Sequence, residues 1–180
     1  MMRKQLLFFT TILALLFASC EKDETVDDQW KEMNEAVFNK IANNPEYTRL
    51  ESQSKKGFIM YKELQKGDGA KPMYTSKVKL LYTGYFKRDW SRPDNYTDGD
   101  GNYVINKIIF DTTDQNNIPR SLDVKNLIDG FQTALQHMNV GSKWEVWIPY
   151  ELGYGDKPYS RIRECTTLVF EIELVDIISN

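Results

Sequence analysis

The sequence predicts an α+β domain, an antiparallel sheet with one short helix on its inner face and a further helix ahead of it. Three observations lead there. Apolar residues alternate with period two in five segments between residues 57 and 175. One segment among them, 127–138, instead carries apolar residues at helical spacing, and a second helical stripe at 29–44 precedes them all. A single amphipathic helix among antiparallel strands must bury its stripe against the sheet.

Composition narrows the chemistry. At about 150 residues per domain, 180 residues make one domain with chain to spare. Hydrophobic residues at 41% and charged residues at 27% describe a globular chain, neither disordered nor multi-spanning. A single histidine excludes sites built on two imidazoles, and two cysteines exclude a Cys-rich zinc module or a dense disulfide framework. No cofactor or metal is expected. The formal charge of −3 argues against a nucleic-acid partner, since counterion release needs clustered Lys and Arg.

The first residues read as an address. Arg3 and Lys4 precede an apolar run from Leu6 to Phe17, followed by Ala18, Ser19 and Cys20. A basic start, a short apolar run and small residues describe a secretory signal, residues 1–19. The run is too short to cross ~30 Å of hydrocarbon. Cysteine directly after Phe-Ala-Ser resembles a bacterial lipobox, which implies lipid attachment at Cys20 (diacylglyceryl with palmitate-type chains). It also implies a lipoprotein anchored to a bacterial membrane, the outer one, facing periplasm or cell surface. Losing Arg3 and Lys4 takes the formal charge from −3 to −5. With Cys20 acylated, Cys165 has no partner for an intramolecular disulfide and is expected to be buried or a free thiol rather than a nucleophile. Residues 20–28 are acidic and weakly hydrophobic, a solvated tether. Its Lys22-Asp23-Glu24 either resembles an acidic surface-export signal or is only a spacer.

Residues 29–56 form an N-terminal helical extension. Trp30, Met33, Val37 and Ile41 make one apolar stripe, stopped by Asn43-Asn44-Pro45. At about four turns the stripe is short for a coiled coil, so docking on the domain, hence a monomer, is favoured over a dimer-forming arm. From Gly57 to Leu64 a strand follows, with Lys66–Gly69 as its turn. Val78, Leu80 and Tyr82 face inward on the next strand. Ile108–Thr113 carries Phe110; Trp144, Val146 and Ile148 alternate on another; Leu168, Phe170, Ile172 and Leu174 alternate on the last. The helix bears Leu127, Phe131, Ala134, Leu135 and Met138, with Asn126 as N-cap and Gly141 as stop. His137 lies near its C-terminus, where a cation favours the helix dipole, a structural placement. Residues 87–107 are a polar insertion. Asp98, Asp100 and Asn102 match the start of a calcium loop, but Tyr103 and Ile109 stand where its Gly and Glu belong, so a long hairpin is expected.

Five motifs now stand in register: LLYTG at 80–84, FDTT at 110–113, LIDGFQTALQHMNVG at 127–141, IPYELGYG at 148–155 and TLVFEIEL at 167–174. Their order and spacing, over residues 57–178, resemble the FKBP-type peptidyl-prolyl cis-trans isomerases. The resemblance implies an antiparallel sheet curled around one short helix, in an isomerase domain at 57–180, with an apolar pocket between them. It places pocket positions on Tyr82, Phe110, Asp111, Leu127, Ile128, Phe131, Tyr154, Ile162 and Phe170. It also implies proline-containing polypeptides as substrates and a macrolide as inhibitor. Four positions depart from the pattern: Phe131 replaces a frequent tryptophan, Arg120 an apolar residue, Asn126 an acid, and Arg163-Glu164 a Pro-Pro pair.

The chemistry asked of these residues is non-covalent. An X–Pro bond rotates over a barrier of ~18–20 kcal/mol set by amide resonance. The twisted imide has lost that resonance and its charge separation, so it gains more from a dry apolar cavity than the planar ground state does. Tyr82, Phe110, Phe131 and Phe170 would wall the proline ring, with Leu127 and Ile162 beside them. The Ile128 N–H, at a helix start, would bind a substrate carbonyl. Tyr154 would donate to the carbonyl before proline, and Asp111 would polarise the rim or hold neighbouring side chains. A non-catalytic, chaperone-like peptide- or partner-binding module on the same fold is the alternative, favoured by Arg120 and the altered 163–164 loop.

Overall fold

The computed structural model describes residues 26–179; the signal segment, Cys20 and most of the acidic tether lie outside them. Two helices and nine strands follow in the order α1 (Val26–Ala42), β1 (Thr48–Glu51), β2 (Phe58–Gln65), β3 (Lys77–Lys87), β4 (Asn95–Thr97), β5 (Tyr103–Ile105), β6 (Lys107–Thr112), β7 (Arg120–Asp123), α2 (Asp129–Leu135), β8 (Lys143–Ile148) and β9 (Leu168–Ser179). Seven strands make one antiparallel sheet ordered β1-β2-β8-β9-β3-β6, with β7 also paired to β3. The α+β class and the sheet with its single enclosed helix are as expected.

Alternation fills the inner face. Ile59, Val78, Leu80, Tyr82, Val146, Ile148, Phe170, Ile172 and Leu174 are buried there with Phe131, Ala134, Leu135 and Met138 of the α2 region. The close approach of α2 requires Gly130, where a Cβ would fall 2.4 Å from the Ile148 side chain.

The outer face is covered too. Phe38 of α1 packs on Met60, Trp147 and Val169, each facing away from the inner core on β2, β8 and β9. The sheet therefore lies between two helices. The expected stripe on α1 needs a correction: the buried line is Trp30, Asn34 and Phe38, and Met33, Val37 and Ile41 only flank it. Asn34, fully buried, donates to the Trp30 carbonyl (2.9 Å) and accepts from Trp90 Nε1 (3.1 Å) and the Thr167 N–H (2.9 Å). Trp30 Nε1 in turn donates to the Glu164 carbonyl at 3.0 Å. These bonds dock α1 on its own chain.

Other boundaries move. The segment after α1 contains β1, an edge strand paired with β2 through Thr48–Glu51, so the sheet starts before residue 57. The expected N-cap Asn126 instead ends a 3₁₀ turn, and Ile128 caps α2 with no side-chain bond. Gln132 Nε2 holds that entry by donating to the carbonyls of Leu127 (2.7 Å) and Lys125 (3.1 Å). The helix ends at Leu135, well before Gly141, whose N–H donates instead to the Leu174 carbonyl at 2.7 Å. His137 Nδ1 lies 2.9 Å from the Thr133 carbonyl, a local helix contact. Cys165 is buried and free. In the insertion, β4 and β5 pair as a hairpin. At its tip, Asp98 Oδ1 accepts from the N–H groups of Asp100 and Asn102, so this carboxylate closes a turn.

Candidate active site

The site lies where β3 changes partners. Its first half pairs with β7 (Leu80 opposite Arg120) and its second half with β6 (Thr83 opposite Thr112, Gly84 opposite Asp111). Tyr82 falls in the gap, where its N–H and carbonyl bond to Thr113. On the other edge of β3, Gly84 faces Phe170 of β9. A Cβ on Gly84 would sit 2.5 Å from the Phe170 ring and 2.8 Å from Phe110. The glycine of the Tyr-Thr-Gly motif thus lets the two rings meet.

They meet as a cage. Phe131 stands edge-on to Phe170 (4.9 Å between centroids) and to Tyr82 (5.8 Å). Phe110 stands edge-on to Phe170 at 5.4 Å and to Tyr154 at 6.4 Å. Edge-to-face pairs of this kind add about 0.5–1.5 kcal/mol each beyond burial. The cage encloses a cavity of about 160 Å³, lined also by Asp111, Leu127 and Ile128. Ligand sites for drug-sized molecules start near ~300 Å³, so this one suits a small ring.

Eight of the nine expected pocket positions line the cavity. Ile162 does not; it is buried in the core behind it, bridged to Tyr159. Leu122, Asn126 and Tyr159 line it without having been anticipated. Tyr159 is stacked on Tyr154 at 4.3 Å and 6°. It lies in an irregular polar loop where no periodicity marks it; an aromatic after Pro158 was its one signal.

The rim is polar and ordered. The Tyr82 hydroxyl donates to Asp111 Oδ2 at 2.6 Å and accepts from Arg120 Nη1 at 2.5 Å. Arg120 also donates to Asp111 Oδ1 at 3.0 Å. Arg120, the departure from an apolar position, is therefore the counterion of Asp111. Both side chains are nearly half exposed, so the pair adds little to stability and acts on local charge. Burial, then the Asp111 bond, pushes the Tyr82 phenol well above its ordinary range. Burial, then Tyr159, raises Tyr154 as well, so both phenols keep their protons at neutral pH. Two donors on cavity-lining residues have no partner among the described residues: the Tyr154 hydroxyl and the Ile128 N–H at the start of α2.

A family model described as "FKBP-type peptidyl-prolyl cis-trans isomerase" matches residues 69–175. The chain is 33% identical over 121 residues to the FKBP-type 22 kDa peptidyl-prolyl cis-trans isomerase of Escherichia coli, covering 67% of this chain and 50% of that protein. It is 32% identical over 120 residues to the outer membrane protein MIP of Legionella longbeachae, covering 66% and 44%. The chain thus spans about half the length of the curated relatives it matches. Among solved structures, a peptidyl-prolyl cis-trans isomerase of Pseudomonas syringae superposes with a TM-score of 0.65 at 26% identity, over 87% of this chain and 98% of that one.

Proposed function

The chain belongs to the FKBP-type peptidyl-prolyl cis-trans isomerases, and on that premise we propose that it rotates X–Pro bonds of polypeptides folding outside the cytoplasm. One observation carries the proposal: an aromatic cage of about 160 Å³ whose lining residues include two unpartnered donors. The proline ring enters between Tyr82, Phe110, Phe131 and Phe170, with Leu127 beside Ile128 at the helix end of the cavity. Tyr154 donates to the carbonyl before proline. The Ile128 N–H takes the carbonyl on the far side. Neither contact resists twisting of the imide, and the dry cage favours the twisted form. Asp111 and Arg120 fix the Tyr82 ring, and Ile162 supports the cage from behind. Arg120 had favoured a non-catalytic binding module; as the counterion of Asp111 it belongs to the isomerase rim. A macrolide inhibitor would compete for the same cavity.

Removing the Tyr154 hydroxyl alone tests the assignment. Tyr154→Phe keeps the stacked ring and is expected to melt like wild type while losing a few-fold to about tenfold in kcat/KM on a short X–Pro peptide, from one neutral hydrogen bond of ~0.5–1.5 kcal/mol. Asp111→Val should lose at least as much, because it releases Tyr82 and leaves Arg120 unpaired. Two variants that fold and turn over like wild type would move the site elsewhere.

For location, we propose that residues 1–19 are cleaved and that Cys20 carries the lipid, holding the domain on the outer membrane through the 20–28 tether. A relative named as an outer membrane protein supports this, and among the described residues no helix is long and apolar enough to cross a membrane. The proposed division is an extension at 29–56, whose β1 joins the edge of the sheet, and an isomerase domain at 57–180 with the 87–107 hairpin as an insertion. A monomer is the proposed state, supported by the burial of Trp30 and Phe38 against their own chain, with dimerisation through the N-terminal helix as the alternative. Cys20→Ser should abolish fatty-acid labelling and leave the protein either unprocessed or released from the membrane fraction; label persisting on the variant would contradict lipid attachment there.

A further inference from the structure

Near the proline cage, beyond the recess formed by Phe110, Asp111 and Arg161, lies a groove whose chemistry differs from that of the cage. Trp30, Phe86, Arg88, Ile108, Arg161 and Arg163 line it, and none of them is acidic. Three arginines therefore gather on one groove in a chain whose formal charge is −3. Arg163 is engaged, over the Trp30 ring at 4.7 Å and beside Glu164 at 3.8 Å. Arg88 and Arg161 are exposed, and neither has an anionic partner among the described residues. Unpaired guanidinium groups beside an aromatic floor recognise carboxylates, which they bind through two parallel N–H donors.

That recess links groove and cage: Phe110 and Asp111 line both the recess and the cage, and Arg161 lines both the recess and the groove. Phe110, a wall of the cage, stacks on Phe86 at 6.3 Å, and Phe86 stands edge-on to Trp30 at a further 6.3 Å. An extended chain advances ~3.3 Å per residue, so about three to four residues span those two ring-to-ring steps. Direction follows from the donors. Tyr154, which takes the carbonyl before proline, stands against Phe110, whereas Ile128 lies at the start of α2. The chain leaving along Phe110 toward the arginines is the part that precedes proline.

We infer that this groove is an extended substrate subsite selecting polypeptides with Asp or Glu about three to four residues before the isomerised proline. The inference rests on the isomerase reading above, and the experiment separates the two.

Four peptides sharing a central Phe-Pro bond are compared by exchange NMR. Three carry a Glu, Gln or Lys pair at the third and fourth positions before proline, and the fourth carries the Glu pair after it. At low salt, wild type is expected to favour the first Glu peptide over the Gln peptide by ~3–10-fold in kcat/KM, with the Lys peptide and the displaced Glu peptide showing no gain. The preference should shrink at about 0.5 M salt, where the Debye length falls to a few ångströms. The double variant Arg88→Ala/Arg161→Ala should lose the preference and keep the Gln-peptide rate. Equal Glu and Gln rates in wild type, or a preference that survives in the double variant, would overturn the subsite while leaving the isomerase intact. Absence of any rate would instead defeat the isomerase reading. The subsite is then decided by calorimetry: tighter Glu-peptide binding that the double variant loses upholds it, and equal binding overturns it. Phosphatidylglycerol vesicles serve as the competing anion: sedimentation with them that needs both arginines, alongside equal peptide rates, would assign the groove to a membrane surface and overturn the inference.

Discussion

Phe131→Ala is expected to destabilise the domain by ~3–5 kcal/mol and to abolish isomerisation in the same variant. The side chain is 3% exposed and stands edge-on to both Phe170 and Tyr82. Truncation removes its burial, leaves a void that the surrounding sheet cannot close, and merges that void with the cavity at the base of the cage. Urea denaturation followed by tryptophan fluorescence measures the first effect, and X–Pro exchange at a temperature where the variant stays folded measures the second. Phe131→Trp offers the contrast, because it restores an aromatic floor of the size frequent in the family. It should recover activity more fully than stability, since a larger ring must be fitted into a packed core. Wild-type midpoint and turnover for Phe131→Ala would remove Phe131 from both core and cage.

Asn34→Ala should be nearly as damaging, although the residue lies on the far side of the sheet. Asn34 has no exposed surface, and its side-chain oxygen accepts from two groups at once, the Thr167 N–H and Trp90 Nε1. Deleting it strands a backbone donor at the start of β9 and an indole donor of the 87–107 insertion. Each unsatisfied donor costs ~1–3 kcal/mol, so about 2–6 kcal/mol is expected for the pair. The loss should appear as a lower urea midpoint with an unchanged slope, together with faster hydrogen exchange at Thr167. A variant with wild-type stability would mean that α1 is an appendage and not part of the fold.

Asn34 also shows why parts of this molecule were hidden in its sequence. Apolar periodicity locates the α1 helix but not its buried line, because it passes over the polar side chain that anchors it. The apolar residues facing outward on β2, β8 and β9 (Met60, Trp147 and Val169) were the signal that a helix covers that face. Strands β1 and β7 escaped because Thr-Arg-Leu-Glu and Arg-Ser-Leu-Asp alternate too briefly to show a buried face. Asn126 has the chemistry of an N-cap, yet it closes a separate 3₁₀ turn, Val124–Asn126, and Ile128 occupies the cap of α2. The cage was legible, since Tyr82, Phe110, Phe131 and Phe170 sit in motifs whose register brings them together. The role of Arg120 was not: one residue type read alone does not disclose that Asp111 lies opposite across a strand junction.

On the function proposed above, an aromatic cage with two unpartnered donors among its lining residues lowers the barrier to X–Pro rotation. The most direct measurement is the cis-to-trans rate of a Phe-Pro peptide, followed by exchange NMR without a coupling protease, as folded wild-type protein is added at substoichiometric concentration. Spontaneous exchange takes tens to hundreds of seconds, which leaves a wide window for detecting acceleration. The expected rate rises linearly with enzyme and falls when Tyr154→Phe replaces wild type. A folded wild-type protein that binds the peptide and leaves the exchange rate at its spontaneous value would contradict the proposed function.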